Sequence, residues 1–147
     1  MLVTLLIVVI KYSSITTADI VCPAPESYAP CSCGLDSSVI GMEETIAIEC
    51  FDHFLGDARI SDILDSFLNT PSVSPVSTVA LYRNLLTRVP HQIFNFTQLD
   101  SVLLDHNSIR TITKNSFNFT RSPRYVWLNN NQMTSMEPDA FQGKLLR

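Results

Sequence analysis

Residues 99–117 read LDSVLLDHNSIRTITKNSF, and the same spacing of residue types occurs in three stretches that begin at Val76, Leu99 and Pro123. In each copy, slots 4, 6, 11 and 14 are apolar, slot 9 is asparagine and slot 19 is phenylalanine. The slot-nine and slot-nineteen residues are Asn84, Asn107, Asn131, Phe94, Phe117 and Phe141. Self-similarity at steps of 23 and 24 residues indicates stacked copies of one structural unit.

Alternation of apolar residues at slots 4 and 6 predicts a short strand with one buried face in each copy. The predicted strands are Val79–Leu81, Val102–Leu104 and Val126–Leu128, stacked in parallel. An asparagine side chain carries both donors and an acceptor, so the slot-nine asparagines can form a buried ladder that satisfies backbone groups where the chain turns. We expect the slot-nineteen phenylalanines to stack as a second ladder on the opposite, convex side.

All four cysteines precede the repeats, with the spacing C-x8-C-x-C-x16-C. They are Cys22, Cys31, Cys33 and Cys50. A cluster of four in a secreted chain indicates two disulfides, for which three pairings exist. A zinc site is the weaker interpretation, because C-x-C is not the usual ligand spacing. We therefore expect no metal site, although Asp52 and His53 are neighbouring candidate ligands.

The segment between the cysteines and the repeats has two predicted elements. Residues 45–50 alternate as a strand would. Residues 57–68 carry apolar side chains at i, i+3, i+4, i+7 and i+8, which predicts an amphipathic helix with Asp57 as its N-cap. The Pro- and Ser-rich stretch Pro71–Pro75 ends that helix.

The pattern LxxLxLxxNxLxxLxxxxF behind a cysteine cluster resembles extracellular leucine-rich repeat proteins with an N-terminal cysteine cap. The resemblance implies an α/β fold, a right-handed solenoid with short parallel strands on its concave face and a disulfide cap at its N-terminal end. It implies the pairing Cys22–Cys33 and Cys31–Cys50. The string CPAPESYAPCSCG (residues 22–34) is similar to secreted arthropod members of the family, among them the non-catalytic subunit of a shrimp luciferase. That similarity implies a binding or stabilising role beside another protein.

The first residues predict export. Residues 2–10 (LVTLLIVVI) are too short to span a bilayer as a helix, and Thr16-Thr17-Ala18 offers a small-residue cleavage site. We expect a signal peptide (1–18), with an uncleaved membrane anchor as the alternative. A cap with an inserted helix (19–75) and about three repeats (76–98, 99–122, 123–147) follow. Leu145-Leu146-Arg147 begins another unit, so we expect the C-terminal end of the array to be incomplete.

The slots between the buried strand residues predict a binding face on the concave sheet. Its candidate partner-binding residues are Tyr82, Arg83, Leu103, Asp105, His106, Tyr125, Trp127 and Asn129. An exposed Trp beside a Tyr is the kind of anchor that dominates interfaces; the alternative is that both rings pack on neighbouring side chains or on a further repeat. The sequons at Asn95 and Asn118 occupy the same slot of successive repeats, so glycans there would leave the concave side free.

Charge and motifs narrow the function. The net charge is −4; residues 19–75 hold ten acidic residues and one basic, whereas residues 76–147 hold four acidic and eight basic. We expect a protein ligand or partner subunit, with an acidic glycan as a further candidate, and no nucleic acid, cofactor or membrane span. No catalytic motif is present, so we predict a non-catalytic recognition module. An accessory subunit of a secreted enzyme, or a matrix component, is the alternative.

Overall fold

A computed structural model describes residues 20–38, 44–114, 116–118 and 121–140. Its helices are α1 (Pro25–Tyr28), α2 (Asp57–Asn69) and a 3-10 helix (His91–Asn95). Its strands are β1 (Ser32–Leu35), β2 (Ile46–Glu49), β3 (Val76–Ala80), β4 (Ser101–Leu103), β5 (Thr111–Ile112), β6 (Tyr125–Trp127) and β7 (Ser135–Met136). The predicted cap strand and amphipathic helix correspond to β2 and α2. The signal peptide, Phe141 and the start of a further unit at residues 145–147 lie outside the described residues.

The strands form a mainly parallel sheet in the order β1-β2-β3-β4-β6, in which β1 alone is antiparallel to its neighbour. Val79 pairs with Val102, and Val102 pairs with Val126, so the copies are stacked in the predicted register. A second, two-stranded parallel sheet joins β5 of the second copy to β7 of the third copy. The architecture is therefore mixed α/β, with a parallel-dominated sheet and few helices.

The predicted strand bounds are wrong at both ends, because each strand also begins before the predicted position, at Val76, Ser101 and Tyr125. Each strand ends one residue before the predicted position, at Ala80, Leu103 and Trp127. The slot-six residues that follow stay buried, with Leu81 and Leu104 at 0% exposure. They leave the strand because the chain turns inward there, and the residue two places further on has a positive φ in every copy.

The asparagine ladder is present. The amide nitrogen of Asn107 donates to the carbonyl of Leu104 in its own copy (3.1 Å) and to that of Leu81 in the preceding copy (3.0 Å). Its amide oxygen accepts from the Leu86 N–H (3.0 Å). Asn84 and Asn131 make the equivalent bonds, although Asn131 is only half-buried. Each asparagine thus joins two successive copies through their backbones.

One further copy precedes the three that the sequence shows. Ile48 pairs with Val79, 31 positions later, and the Leu55 N–H donates to Asn84 Oδ1 as the Leu86 N–H does to Asn107. Asp52 has a positive φ of 59°, matching 55° at Arg83. Residues 45–55 therefore form a first coil, and α2 is inserted between it and the next strand, which lengthens the step and hides the repeat.

Helix α2 lies against the core through Ile60, Ile63, Leu64 and Phe67, all 1% exposed or less. The prediction that Asp57 caps the helix is wrong. Gly56 is the N-cap residue and makes no side-chain cap bond. The Asp57 carboxylate instead accepts hydrogen bonds from the backbone and hydroxyl of Thr87, because the loop between β3 and the 3-10 helix passes beside it.

The two disulfides join Cys22 to Cys33 and Cys31 to Cys50, which is the pairing implied by the resemblance. Cys31 and Cys50 are buried in the core, at 8% and 0% exposure. Because Cys33 lies in β1 and Cys50 directly follows β2, the bridges hold the antiparallel strand over the first edge of the sheet.

The burial of the apolar side chains decreases from the second copy to the third. Ile109 and Ile112 are 0% exposed, whereas the matching residues Met133 and Met136 are 42% and 52% exposed. Both methionines stay exposed because no further coil lies over them in the described part of the chain. In the predicted phenylalanine ladder, Phe117 is buried and Phe94 is half-buried against the core.

Candidate binding face

The exposed sheet face is the side of β3, β4 and β6 that points away from the core. Two rows of aligned side chains cross it, and they comprise Thr78, Ser101, Tyr125, Ala80, Leu103 and Trp127. The rows alternate with the buried residues Val79 and Val102, as the period of a strand requires. Side chains grow from small on β3 to large on β6, so the aromatic residues stand at the edge of the sheet.

Tyr125 and Trp127 form a stacked pair on β6. Their ring centroids are 5.4 Å apart with an interplanar angle of 28°. The two residues remain 51% and 42% exposed. The guanidinium of Arg124 lies 5.9 Å from the centroid of the Tyr125 ring, within cation–π range. The two rings and the guanidinium therefore lie against one another on β6.

A hollow of about 440 Å³ opens beside the aromatic pair. Leu103, Tyr125 and Trp127 provide its apolar wall, and hydroxyl-bearing residues such as Ser38 and Ser101 provide polar groups. The carboxylate of Asp100 is nearly buried at its side and forms an ion pair with Arg124. The hydrogen bond from Arg124 to Asp100, aided by the opposite charge, raises the pKa of Arg124 above its ordinary value.

A second buried carboxylate supports the sheet next to this hollow. Asp36 accepts hydrogen bonds from Ser77 (2.7 Å) and from the backbone (2.9 Å) and hydroxyl of Ser38. Burial by itself would raise the pKa of Asp36, but these hydrogen bonds outweigh it and hold the pKa below the ordinary value. Sequence reasoning missed this group. Its partner Ser77 lies 41 residues further along the chain, so the sequence gives no sign of the contact.

The rim of the face is formed by the turn that follows each strand. Asp52, Arg83, His106 and Asn130 occupy the same turn position and have φ between 53° and 59°. His106 Nδ1 lies 2.8 Å from the Asp105 carboxylate, and the Asn130 amide nitrogen lies 3.0 Å from Nε2 of the same ring. These contacts fix a polar rim along β4 and β6.

The other predicted face residues divide between the rim and the sheet. Arg83 lies 3.5 Å from the carboxylate of Asp52, and both side chains are more than half exposed. Tyr82 is half-buried and stacks on Phe51 (4.9 Å, 5°). Asn129 is exposed, and its carbonyl accepts from the His106 N–H (3.0 Å). Of the eight predicted residues, Leu103, Tyr125 and Trp127 therefore lie in β4 and β6, and the other five lie in the turns that follow β3, β4 and β6.

An apolar group at the capped end was missed. Phe51 and Phe54 are 38% and 75% exposed, and Leu85 is 51% exposed. Since the Leu85 N–H donates to the Leu55 carbonyl, Phe54 and Leu85 stand side by side in neighbouring turns. The first coil had no visible match in the sequence, so its contribution to the rim could not be inferred.

The sequon asparagines lie away from the sheet. Asn95 is the last residue of the 3-10 helix and is exposed; Asn118 is also exposed. Among the described residues, no three His, Cys, Asp or Glu side chains are grouped as metal ligands. None of the helices in that part of the chain has the length and apolar character needed to cross a membrane. Comparison of the chain with protein-family models, curated proteins and solved structures finds no match.

Proposed function

We propose that this chain is an extracellular leucine-rich repeat module, a right-handed solenoid that binds a protein partner through its concave sheet and performs no catalysis. The parallel register of β2, β3, β4 and β6 supports the solenoid, because each strand is one coil further along. The asparagine ladder supports it independently, since it repeats the same three bonds at every junction. In this geometry the exposed sheet face is concave.

The exposed pair of Tyr125 and Trp127 carries the binding proposal. Large aromatic rings at a solvent-facing sheet position offer much apolar area with little conformational freedom to lose on association. The hollow beside them gives a partner side chain a place to enter, with hydroxyl-bearing residues such as Ser101 in its wall for polar contacts. Such a small apolar centre with a polar rim is the usual anatomy of a protein interface.

The alternatives differ in what they require of the same face. An acidic glycan is less favoured, because Arg83 and Arg124 already lie against the carboxylates of Asp52 and Asp100. A role as an accessory subunit of a secreted enzyme uses the same aromatic centre, but the complex would then co-purify rather than form reversibly. A matrix role would require self-association.

Substitution of Trp127 by Ala tests the binding face. We expect the affinity for the partner to fall at least tenfold, as for an interface anchor, with little loss of stability because Trp127 is 42% exposed. The partner is captured from the extracellular medium with the unmodified protein, purified, and titrated calorimetrically against both proteins. Arg88→Ala, an exposed change in a turn, is the matched control. Equal affinity of the Trp127→Ala protein would rule out the concave site.

Export and glycosylation are a separate prediction. Two disulfides are typical of proteins folded in an oxidising compartment. We expect the secreted product to begin at Asp19 and to lose mass at Asn95 and Asn118 on glycosidase treatment. N-terminal sequencing and peptide mass spectrometry measure both. A product that begins at Met1 and carries no sugar would contradict export through a cleaved signal.

A further inference from the structure

A separate hollow of about 210 Å³ lies between the end of α2 and the end of the 3-10 helix. One wall is made by the last turn of α2 and the loop 70–76, and the other wall is made by Asn95, Phe96 and Thr97. Asn95 and Thr97 are the two residues that define the first sequon, Asn-x-Thr. The attachment point of an N-linked glycan therefore lies in the wall of this hollow.

The lining of the hollow combines apolar surface with hydroxyl groups and holds no charged side chain among the described residues. Phe96 is 7% exposed, and Leu68 and Val73 are half-buried. Thr70 and Ser72 contribute hydroxyl groups. A pyranose ring presents a face of C–H groups and a rim of hydroxyls, so it can pack on the first kind of surface and hydrogen-bond to the second. The absence of charge in this lining suits the uncharged N-acetylglucosamine with which an N-linked glycan begins.

Both walls of the hollow are held in place by hydrogen bonds within the protein. The Ser74 N–H donates to the carbonyl of Val21 (2.9 Å), and the Val21 N–H donates to Ser74 Oγ (2.8 Å), which fixes the loop 70–76. On the other wall, the amide nitrogen of Gln92 lies 3.3 Å from the carboxylate of Asp65 and ties the 3-10 helix to α2. Because the walls are already positioned, a sugar that enters pays little to order them.

The second sequon has the same local sequence but different surroundings. Asn118 lies in the string Phe-Asn-Phe-Thr (117–120), which repeats residues 94–97, and its side chain is exposed. The wall that runs from α2 to Pro75 belongs to the insertion before β3, whereas only the 3-10 helix lies between β3 and β4. Asn118 therefore provides a matched control, with the same sequon and without the α2 wall.

We propose that the first N-acetylglucosamine of a glycan on Asn95 packs into this hollow, against Phe96 and Val73, and stabilises the junction between α2 and the repeats. The occupant is determined by the covalent bond, because a sugar joined to Asn95 begins at the wall of the hollow. The inference rests on the glycosylation predicted above and involves none of the residues of the concave binding face. It gives the glycan on Asn95 a structural role that a glycan on Asn118 does not have.

The test compares the thermal unfolding of the complete secreted protein with that of Asn95→Gln and Asn118→Gln, all produced with mannose-type glycans. We expect Asn95→Gln to lower Tm by about 4 °C and Asn118→Gln to lower it by less than about 1 °C. Trimming the glycans with an endoglycosidase that leaves one N-acetylglucosamine on each asparagine should keep the Tm of the unmodified sequence, because the first sugar makes the contact. Peptide mass spectrometry measures the occupancy of Asn95 in the same samples.

A double-mutant cycle locates the sugar. Val73→Ser removes apolar surface from the hollow, so adding Asn95→Gln to that variant should cause little further loss in Tm, whatever Val73→Ser costs alone. A full further loss would overturn the placement in the hollow. Equal effects of the two sequon variants, or loss of the stabilisation on trimming to one sugar, would also overturn it.

The inference and the predictions above can fail separately. A sugar on Asn95 whose removal leaves Tm unchanged overturns the packing alone. An unmodified Asn95 in the secreted protein overturns both the packing and the predicted glycosylation. Neither result affects the concave face, on which Trp127→Ala reports.

Discussion

The buried asparagines show how one side chain determines the geometry of a whole coil. Asn107 satisfies two carbonyls and one N–H that belong to two different copies. Aspartate could accept but not donate, and an apolar residue could do neither. His53 stands at the same slot of the first coil and is exposed, because no coil precedes it among the residues that the structure describes. Asparagine is thus needed only where another coil lies behind.

Replacing Asn107 by Ala should therefore be among the most destabilising single changes. It leaves the buried Leu86 N–H without its acceptor, at about 1–3 kcal/mol, and takes one of two asparagine bonds from each of the carbonyls of Leu81 and Leu104, at about 0.5–1.5 kcal/mol each. We expect a total loss of about 2–6 kcal/mol in the free energy of unfolding, measured by urea titration. Asn129→Ala, whose side chain is exposed, serves as the control and should change stability by less than about 0.5 kcal/mol. Similar values for both variants would argue against the ladder.

Secondary-structure elements that depend on their own segment of sequence were predicted better than features that depend on distant partners. The helix at 57–69 is visible from its own periodicity, because its pattern is internal to the segment. The ends of the strands depend on partners 23–31 residues away, so their predicted bounds differ from the observed ones. The first coil was not predicted because α2 lengthens the step between its strand and the next one. Phe51 and Phe54, which belong to that coil, were therefore not predicted as part of the rim. The aromatic pair on β6 was predictable, because alternation alone places it.

Helix α2 links the capped end to the repeats, and Phe67 is its main anchor. Phe67 is 1% exposed, and its ring centroid lies 5.4 Å from that of Tyr28. Phe67→Ala should lower the free energy of unfolding by about 3–5 kcal/mol, as large core truncations do. Thermal or urea unfolding measures it against Asn69→Ala, an exposed change at the end of the same helix. A loss below about 1 kcal/mol would mean that α2 is not part of the cooperative core.

The molecule as a whole has two unlike ends. β1 and both disulfides close the first, whereas Met133 and Met136 leave the last apolar layer open among the described residues. Stability should therefore be distributed unevenly, highest near the cap and lowest in the third copy. The stacking of the repeats could be predicted from spacing, but the depth of burial in each copy depends on what covers it.

The two disulfides should contribute unequally. Cys31–Cys50 spans 19 positions and is buried, whereas Cys22–Cys33 spans 11 positions and both of its cysteines are only half-buried. Removing the first pair with Cys31→Ala and Cys50→Ala should cost about 3 kcal/mol from the loop alone, plus lost core contacts. The corresponding Cys22 and Cys33 double variant is the control and should lose less in urea unfolding. A larger loss in the control would show that the outer bridge is the more important one.

The placement of Trp127 also gives the chain an optical property. It is the only tryptophan among 147 residues, so indole emission comes from one place on the molecule. That indole is 42% exposed and stacked on a tyrosine at the edge of the sheet. Its emission wavelength therefore depends on how much water reaches the exposed sheet face around β6 and little on changes near the disulfides. The intrinsic fluorescence of Trp127 can therefore report a change in the surroundings of that face without an added label.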